Sequence, residues 1–272
     1  MRLEGKIAVI VGAGQSPGEG MGNGRATTLR FAQEGARILA VDRLIASAEE
    51  TAAMAAKEGG ECVPFAADVT KEQTLAAAVE AARARWGRID ILHNNVGVSI
   101  AGGDKPLDEL TEAAFDRVCA INLRGTIMAC KHVLPIMRLQ RSGAIINISS
   151  VAARENSYPL VTYKATKAAM IAFTEQLALQ NASYGIRANC ILPGLMDTPM
   201  AVDTELAPAT AAAPRSPRSA TRRFRCAAAW ERHGTLRMQR CFSPPTKRIS
   251  LLAWRYRWMA VHWCGSVNTD GL

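Results

Sequence analysis

Residues 6–26, with the sequence KIAVIVGAGQSPGEGMGNGRA, contain the features that determine the expected fold. Apolar and β-branched residues fill 6–11, which is typical of a buried strand. The turn before the next, Ala-rich segment contains Gly12, Gly14, Gly22, Asn23 and Gly24. Glycines between a strand and a helix let the backbone approach a pyrophosphate, which the helix N-terminus binds through its free amides. Because ordinary turns also require glycine, the loop alone leaves a purely structural role open.

Beyond this stretch, short β-branched runs alternate with Ala-rich helical segments. The expected strands are 6–11, 37–41, 61–66, 89–93, 144–149 and 187–192, and the expected helices are 24–34, 45–58, 72–86, 112–139 and 163–184. This alternation is typical of α/β proteins and predicts a doubly wound, Rossmann-type parallel sheet with helices on both faces. The ligand site of such a sheet lies beyond the carboxyl ends of its strands.

The net charge of +9 comes from the end of the chain, since residues 1–204 have 21 basic and 21 acidic side chains, whereas residues 205–272 have 12 and 3. The chain of 272 residues is long enough for one large domain, which we place at 1–200. Seven cysteines without CxxC spacing indicate reduced thiols and no metal site. Because no apolar run reaches about 18 residues, we expect a soluble, cytoplasmic protein with no membrane partner.

Asp42 ends the second expected strand, eighteen residues beyond Gly24. A carboxylate at this place accepts hydrogen bonds from the ribose hydroxyls of NAD and repels the 2′-phosphate of NADP. The position therefore favours NAD over NADP, although Arg43 follows directly and weakens the preference. Asp42 as a cap of the next helix is the alternative interpretation.

Tyr163 and Lys167 are four residues apart on an expected helix, and Ser150 ends a strand thirteen residues before Tyr163. A spacing of four places both side chains on one helix face. A nearby ammonium favours the phenolate form of a tyrosine, which is the form that accepts a proton from a substrate alcohol. Ser150 would hold the same substrate oxygen. A Tyr and a Lys at this spacing also occur by chance on many helices.

Together these residues resemble the short-chain dehydrogenase/reductase family, over residues 3 to about 200. The resemblance implies an NAD(P)-dependent oxidoreductase that interconverts a small-molecule alcohol and a ketone, and a homotetramer or homodimer. It assigns catalysis to Tyr163, Lys167, Ser150 and Asn122, the last as the support of a proton-relay water. It assigns further cofactor contacts to Asp68, Val69, Asn95, Gly97, Pro193, Gly194 and Thr198.

Two departures from the family pattern stand out. Residues 15–21 are inserted in the glycine turn, for which we expect a bulged phosphate loop with binding retained. Residues 201–272 form an atypical Arg- and Trp-rich tail, expected to be poorly ordered, in place of the family's C-terminal helix and last strand. Trp258 and Met259 have single codons, and reading from each third base permits the family's terminal Val-Asp-Gly-Gly over residues 257–261. We therefore hypothesise a frameshift between about Met200 and Phe224.

Three interpretations of the whole chain stay open. The chain is an active dehydrogenase, or it is a cofactor-binding but catalytically inactive remnant with an out-of-frame C-terminus. In the third, the tail is native, either as a divergent extension or as a basic arm that binds nucleic acid. Nucleic acid is the least favoured partner, because the excess charge is confined to the tail.

Overall fold

The computed structural model describes residues 1–18, 20–155, 158–194, 196 and 198–199. The strands are β1 (Ile7–Val11), β2 (Arg37–Asp42), β3 (Cys62–Ala66), β4 (Ile91–Asn94), β5 (Gly143–Ile148) and β6 (Ile186–Ile191). The helices are α1 (Asn23–Gln33), α2 (Ile45–Lys57), α3 (Glu72–Trp86), α4 (Glu112–Cys119), α5 (Gly125–Gln140) and α6 (Val161–Asn181). The expected tail, 201–272, lies outside the described residues.

The six strands form one parallel sheet in the order β3-β2-β1-β4-β5-β6. The chain first builds outward from β1 to β3 and then crosses back to place β4 on the other side of β1. The expected doubly wound α/β fold is therefore confirmed. The strand order reverses between β1 and β4, and in open α/β sheets the ligand crevice lies at this point, beyond the carboxyl ends of the strands.

Alternate strand residues face two separate cores. Val9, Leu39, Leu92 and Ile145 pack in one core with residues of α3, α5 and α6. Ile10 and its neighbours on the opposite face pack with residues of α1 and α2. Burying each of these large aliphatic side chains stabilises the fold by about 1.5–3 kcal/mol, which makes the sheet a rigid platform for the loops at its edge.

The expected helix over 112–139 differs in one respect from the structure. Helices α4 and α5 are joined by a π-helical turn, Ala120–Arg124, rather than by regular α-helix. Asn122 lies in this turn and is fully buried. Such wide turns frequently occur at functional sites because they displace a side chain from the regular helical position.

Within the described residues, no helix combines the length and apolar character needed to span a bilayer. The four cysteines in that part of the chain, Cys62, Cys119, Cys130 and Cys190, are all free thiols.

Candidate active site

Two glycines of the turn after β1, Gly12 and Gly24, leave no room for a larger residue. A Cβ atom on Gly24 would overlap the carbonyl oxygen of Gly12, and Gly12 itself has a φ of +84°. Helix α1 follows Gly22 without any side-chain cap at its N-terminus. Its first amides therefore lack the acceptor that a cap supplies and suit an anionic group such as a pyrophosphate. The glycine cradle fits a dinucleotide.

The inserted loop is closed on itself by Gln15. The backbone amide of Gly22 donates to the Gln15 Oε1 over 2.8 Å, and the Gln15 Nε2 donates to the Gly20 carbonyl over 3.1 Å. A Cβ atom on Gly22 would lie 3.8 Å from the carbonyl oxygen of Gly14. Gly14 and Gly22 are thus neighbours in space despite the insertion between them. Apart from Glu19, which is not described, the insertion forms the bulged loop that the sequence predicts.

Asp42 joins the glycine turn to the segment before α2. Its Oδ2 accepts from the Gly14 amide over 3.0 Å, and its Oδ1 accepts from the Leu44 amide over 3.1 Å. Leu44 precedes the first residue of α2, so the carboxylate does not cap the first turn of that helix. The helix-cap interpretation of Asp42 is therefore not supported. The carboxylate lies at the carboxyl end of β2, next to the glycine turn.

Asp68 and Val69 follow the next strand. Burial on its own would raise the pKa of Asp68, but hydrogen bonds from Thr70 and the charges of Lys71 and Arg43 lower it overall. Val69 packs closely against the start of α5, where a Cβ atom on Gly125 would lie 2.8 Å from the Val69 Cβ. Both residues are thus fixed at the edge of the sheet, where the family resemblance implies a cofactor contact.

Asn95 braces the glycine turn from the neighbouring strand. Its Nδ2 donates to the Gly12 carbonyl over 3.2 Å. Two residues later, Gly97 provides space for the side chain of Lys167, since a Cβ atom there would lie 2.9 Å from the Lys167 Nζ. The segment after β4 therefore contacts both the glycine turn and α6.

Tyr163 lies on α6, and Ser150 follows β5. Burial raises the pKa of the Tyr163 phenol above its usual 10.0, and the hydrogen bond with Ser150 acts in the opposite direction. The net shift is upward, whereas the sequence predicts a lowering by Lys167. Burial of the phenol has the largest effect on its pKa. The Lys167 Nζ lies over the ring, 5.6 Å from its centroid.

Lys167 is 2% exposed, and its Nζ donates a hydrogen bond to the Ile148 carbonyl over 2.8 Å. Burial lowers the pKa of this amine from 10.5 to about 8. An amine with this pKa is still mostly protonated at neutral pH. The structure therefore places a buried, charged ammonium beside the ring of Tyr163.

Asn122 uses its whole side chain to hold the segment after β4. Its Oδ1 accepts from the Val98 amide over 2.8 Å, and its Nδ2 donates to the Val98 carbonyl over 2.9 Å and to the Thr166 Oγ1 over 3.2 Å. The Asn122 side chain thus links the loop after β4 to the helix that contains Tyr163.

The segment after β6 approaches the same site. The Val151 amide donates to the Pro193 carbonyl over 3.0 Å, which places Pro193 and Gly194 beside the turn that contains Ser150. Thr198 is 8% exposed, and its amide donates to the Met196 carbonyl over 3.0 Å. Within the described residues, no hydrogen bond joins Thr198 to Tyr163 or Ser150.

Two features of the site are not apparent from the sequence. Asp104, in the loop after β4, accepts hydrogen bonds from the first-turn amides of α6. Tyr158 shares a 2.9 Å hydrogen bond with Ser99, and its ring centroid lies 5.4 Å from that of Tyr163. Their hydrogen-bond partners are 58 or 59 residues away along the chain, so no local pattern could have identified them.

A family described as short chain dehydrogenase matches residues 6–208 of this chain. Among curated relatives, levodione reductase from Leifsonia aquatica is 36% identical over 203 residues, which are 73% of this chain and 72% of the relative. Residues 6–208, which match the family, contain every residue of the site described above.

Solved structures show the same similarity. A short-chain dehydrogenase/reductase from Burkholderia xenovorans is 41% identical with a TM-score of 0.70, covering 75% of this chain and 79% of that protein. A 7α-hydroxysteroid dehydrogenase in complex with NADH and 7-oxo glycochenodeoxycholic acid is 32% identical with a TM-score of 0.67, covering 72% and 73%. At these identities the similarity concerns the amino-acid sequence as well as the fold.

Proposed function

This chain belongs to the short-chain dehydrogenase family of oxidoreductases, whose members use NAD(P), and from that premise we propose that it interconverts a secondary alcohol and a ketone with NAD. The observation that supports this most strongly is the grouping of Ser150, Tyr163 and Lys167 at the carboxyl edge of the sheet. Asn122 and Gly97 complete the group from the segments beside it.

Tyr163 is the acid and base of the proposed reaction. Because burial raises its pKa, the phenol is protonated at neutral pH and is ready to donate its proton to a ketone oxygen. Ser150, whose hydroxyl counteracts the rise in the pKa of Tyr163, holds the same substrate oxygen. When bound, the nicotinamide supplies the hydride for the carbonyl carbon, or accepts it in the reverse direction.

Lys167 stabilises the phenolate that remains after proton transfer. Its ammonium is buried, where a charge acts more strongly than in water, and it lies over the Tyr163 ring. Its hydrogen bond to the Ile148 carbonyl leaves further N–H donors, which would hold a ribose hydroxyl. Asn122 keeps the loop after β4 in register with α6, beside the path of the proton.

Asp42 supports NAD as the cofactor rather than NADP. Its carboxylate is fixed by the Gly14 and Leu44 amides and still has acceptor capacity for ribose hydroxyls. A negative charge at this position repels a 2′-phosphate. Arg43 follows directly, but its charge also acts on Asp68.

The test is turnover on a broad panel of secondary alcohols with NAD and NADP, and of ketones with NADH and NADPH. We expect reduction of at least one ketone, a higher kcat/KM with NADH than with NADPH, and an oxidation rate that rises toward alkaline pH. The last expectation follows because oxidation requires the deprotonated form of Tyr163, whose pKa is raised. A preference for NADPH would contradict the role given to Asp42.

A second candidate is a protein that binds the cofactor without turnover. It is favoured by the family match, which ends at residue 208. The match to the solved hydroxysteroid dehydrogenase likewise covers 73% of that protein. Sequencing codons 195 to 272 of the gene tests the proposed frameshift. If the third-base frame encodes the terminal Val-Asp-Gly-Gly, the repaired chain is the one to assay. NADH binding without turnover by the present chain would support this candidate.

We further propose that the enzyme works in the cytoplasm as a homodimer or homotetramer, which an altered C-terminus would weaken. Light scattering on the present and repaired chains measures the oligomeric state directly. A larger mass for the repaired chain is expected, and equal masses would show that the C-terminus does not contribute to assembly.

A further inference from the structure

The helix that contains Tyr163 begins without a cap of its own. Its N-cap residue is Leu160, which makes no side-chain hydrogen bond to the first turn. The first amides of any helix lack partners within the helix, and a buried amide without an acceptor costs about 1–3 kcal/mol. Tyr163 is the third residue of α6 and belongs to this end of the helix.

The missing acceptors come from Asp104, in the loop after β4. One carboxylate oxygen accepts from the Thr162 amide over 3.2 Å, and the other accepts from the Tyr163 amide over 2.7 Å. Asp104 is 1% exposed, so both bonds are shielded from water. Hydrogen bonds from amides to a carboxylate are stronger than those between neutral groups. Asp104 thus holds the backbone of Tyr163 itself.

Asp104 is placed by a compact turn. The amides of Gly102 and Asp104 both donate to the Ser99 carbonyl, over 2.8 Å and 3.3 Å. Gly103 has a φ of +90°, which few other residues adopt. A Cβ atom on Gly102 would lie 2.8 Å from the Cγ2 of Val98, so the turn is packed tightly against its own beginning.

The beginning of this turn is held by a second residue of the site. The Val98 amide donates to the Asn122 Oδ1, and the Val98 carbonyl accepts from the Asn122 Nδ2. Ser99 contacts the hydroxyl of Tyr158, whose ring lies against that of Tyr163. The loop is therefore fixed at one end by Asn122 and at the other by the amides of α6.

We propose that Asp104 is a positioning residue that fixes Tyr163 for proton transfer by accepting the Thr162 and Tyr163 amides. The proposal rests on the proposed role of Tyr163 as acid and base. Proton transfer depends on placing the hydroxyl to within a fraction of an ångström, and a displacement of 1 Å can reduce the rate by about 100-fold. Asp104 does not itself contact the reacting atoms.

The test compares Asp104→Asn with Asp108→Asn. Asparagine keeps the size of the side chain, but its Nδ2 cannot accept, so one of the two amides loses its partner. Asp108 is exposed in the same loop, and its replacement removes the same charge. For Asp104→Asn we expect kcat to fall on the order of tenfold or more, with the substrate KM and the NADH Kd changed by less than about threefold. Asp108→Asn should retain the wild-type kcat.

A second readout does not require activity. The chain has four tyrosines, and the ¹³Cζ resonance of Tyr163 is assigned by its absence in Tyr163→Phe. In Asp104→Asn we expect the Tyr163 resonance to shift or broaden while that of Tyr184 stays unchanged. If the wild-type chain turns over no substrate, the proposed function fails, and this resonance alone decides the role of Asp104.

Two results would overturn the proposal. One is a wild-type kcat with an unchanged Tyr163 resonance in Asp104→Asn. The other is a loss of kcat matched by an equal loss of NADH affinity and by partial unfolding in thermal denaturation, because that pattern describes a residue that only stabilises the fold.

Discussion

Gly97 and Lys167 are in such close contact that a Cβ atom on Gly97 would lie 2.9 Å from the Lys167 Nζ. Because that nitrogen is buried and hydrogen-bonded to the Ile148 carbonyl, it has little freedom to withdraw. The absence of a side chain at position 97 therefore determines where the ammonium lies relative to Tyr163.

Gly97→Ala should lower kcat on the order of tenfold, since the displaced ammonium stabilises the phenolate less well. Steady-state kinetics measure the effect, and thermal denaturation serves as the control. A variant with unchanged kcat would show that the exact place of the ammonium does not matter. A largely unfolded variant would show that Gly97 is required for folding rather than for catalysis.

Lys167→Met should abolish turnover and stabilise the fold at neutral pH. In the wild type the folded-state pKa is about 8, below the unfolded 10.5, so the unfolded chain binds more protons between these values and stability rises with pH across that window. The lowered pKa corresponds to at most about 3 kcal/mol of destabilisation of the wild type at neutral pH. The variant regains this stability but loses the hydrogen bond to Ile148, which costs it about 1 kcal/mol. Urea denaturation at several pH values measures this, and a less stable methionine variant would refute it.

His93→Leu should remove part of the acid sensitivity of the fold. Both ring nitrogens of His93 are buried without a hydrogen-bond partner, and burial lowers its pKa from 6.5 to about 4. Because the unfolded chain binds more protons in that window, the wild type loses up to about 3 kcal/mol of stability as the pH falls from 6.5 to 4. Denaturant midpoints across this range should change less in the variant, and parallel pH profiles would contradict the expectation.

Asp42→Asn should change the cofactor preference. The amide keeps the size of the side chain and removes the charge that repels a 2′-phosphate, so the ratio of the NADPH Kd to the NADH Kd should fall by about tenfold, or 1.4 kcal/mol. Fluorescence titration with both reduced cofactors measures the ratio. An equal change in both affinities would show that Asp42 only holds the Gly14 and Leu44 amides.

The doubly wound parallel sheet and the placement of Tyr163 and Lys167 on one helix face could be predicted from the sequence, because strand and helix patterns and a spacing of four residues are local. The insertion after Gly14 could be recognised as a loop from its glycines and proline. Its closure by Gln15 could not, since a glutamine in a loop has many equivalent partners.

The remaining features depend on contacts between distant segments. Residues 120–124 have an ordinary helical sequence, and the π-helical turn there accompanies the hydrogen bonds of Asn122 to Val98. Asp104 is separated by 58 and 59 residues from the amides that it holds. The raised pKa of Tyr163 reflects burial, which the Tyr and Lys spacing alone does not show.

The most direct test of the proposed chemistry is Tyr163→Phe, with kcat and NADH affinity measured on the same preparation. Phenylalanine keeps the ring that lies beneath Lys167 and removes only the hydroxyl. We expect kcat to fall by about 100-fold to 10,000-fold, with the NADH Kd within about twofold of the wild-type value. A kcat within about threefold of the wild type would show that another group transfers the proton, and the assignment of Tyr163 would be wrong.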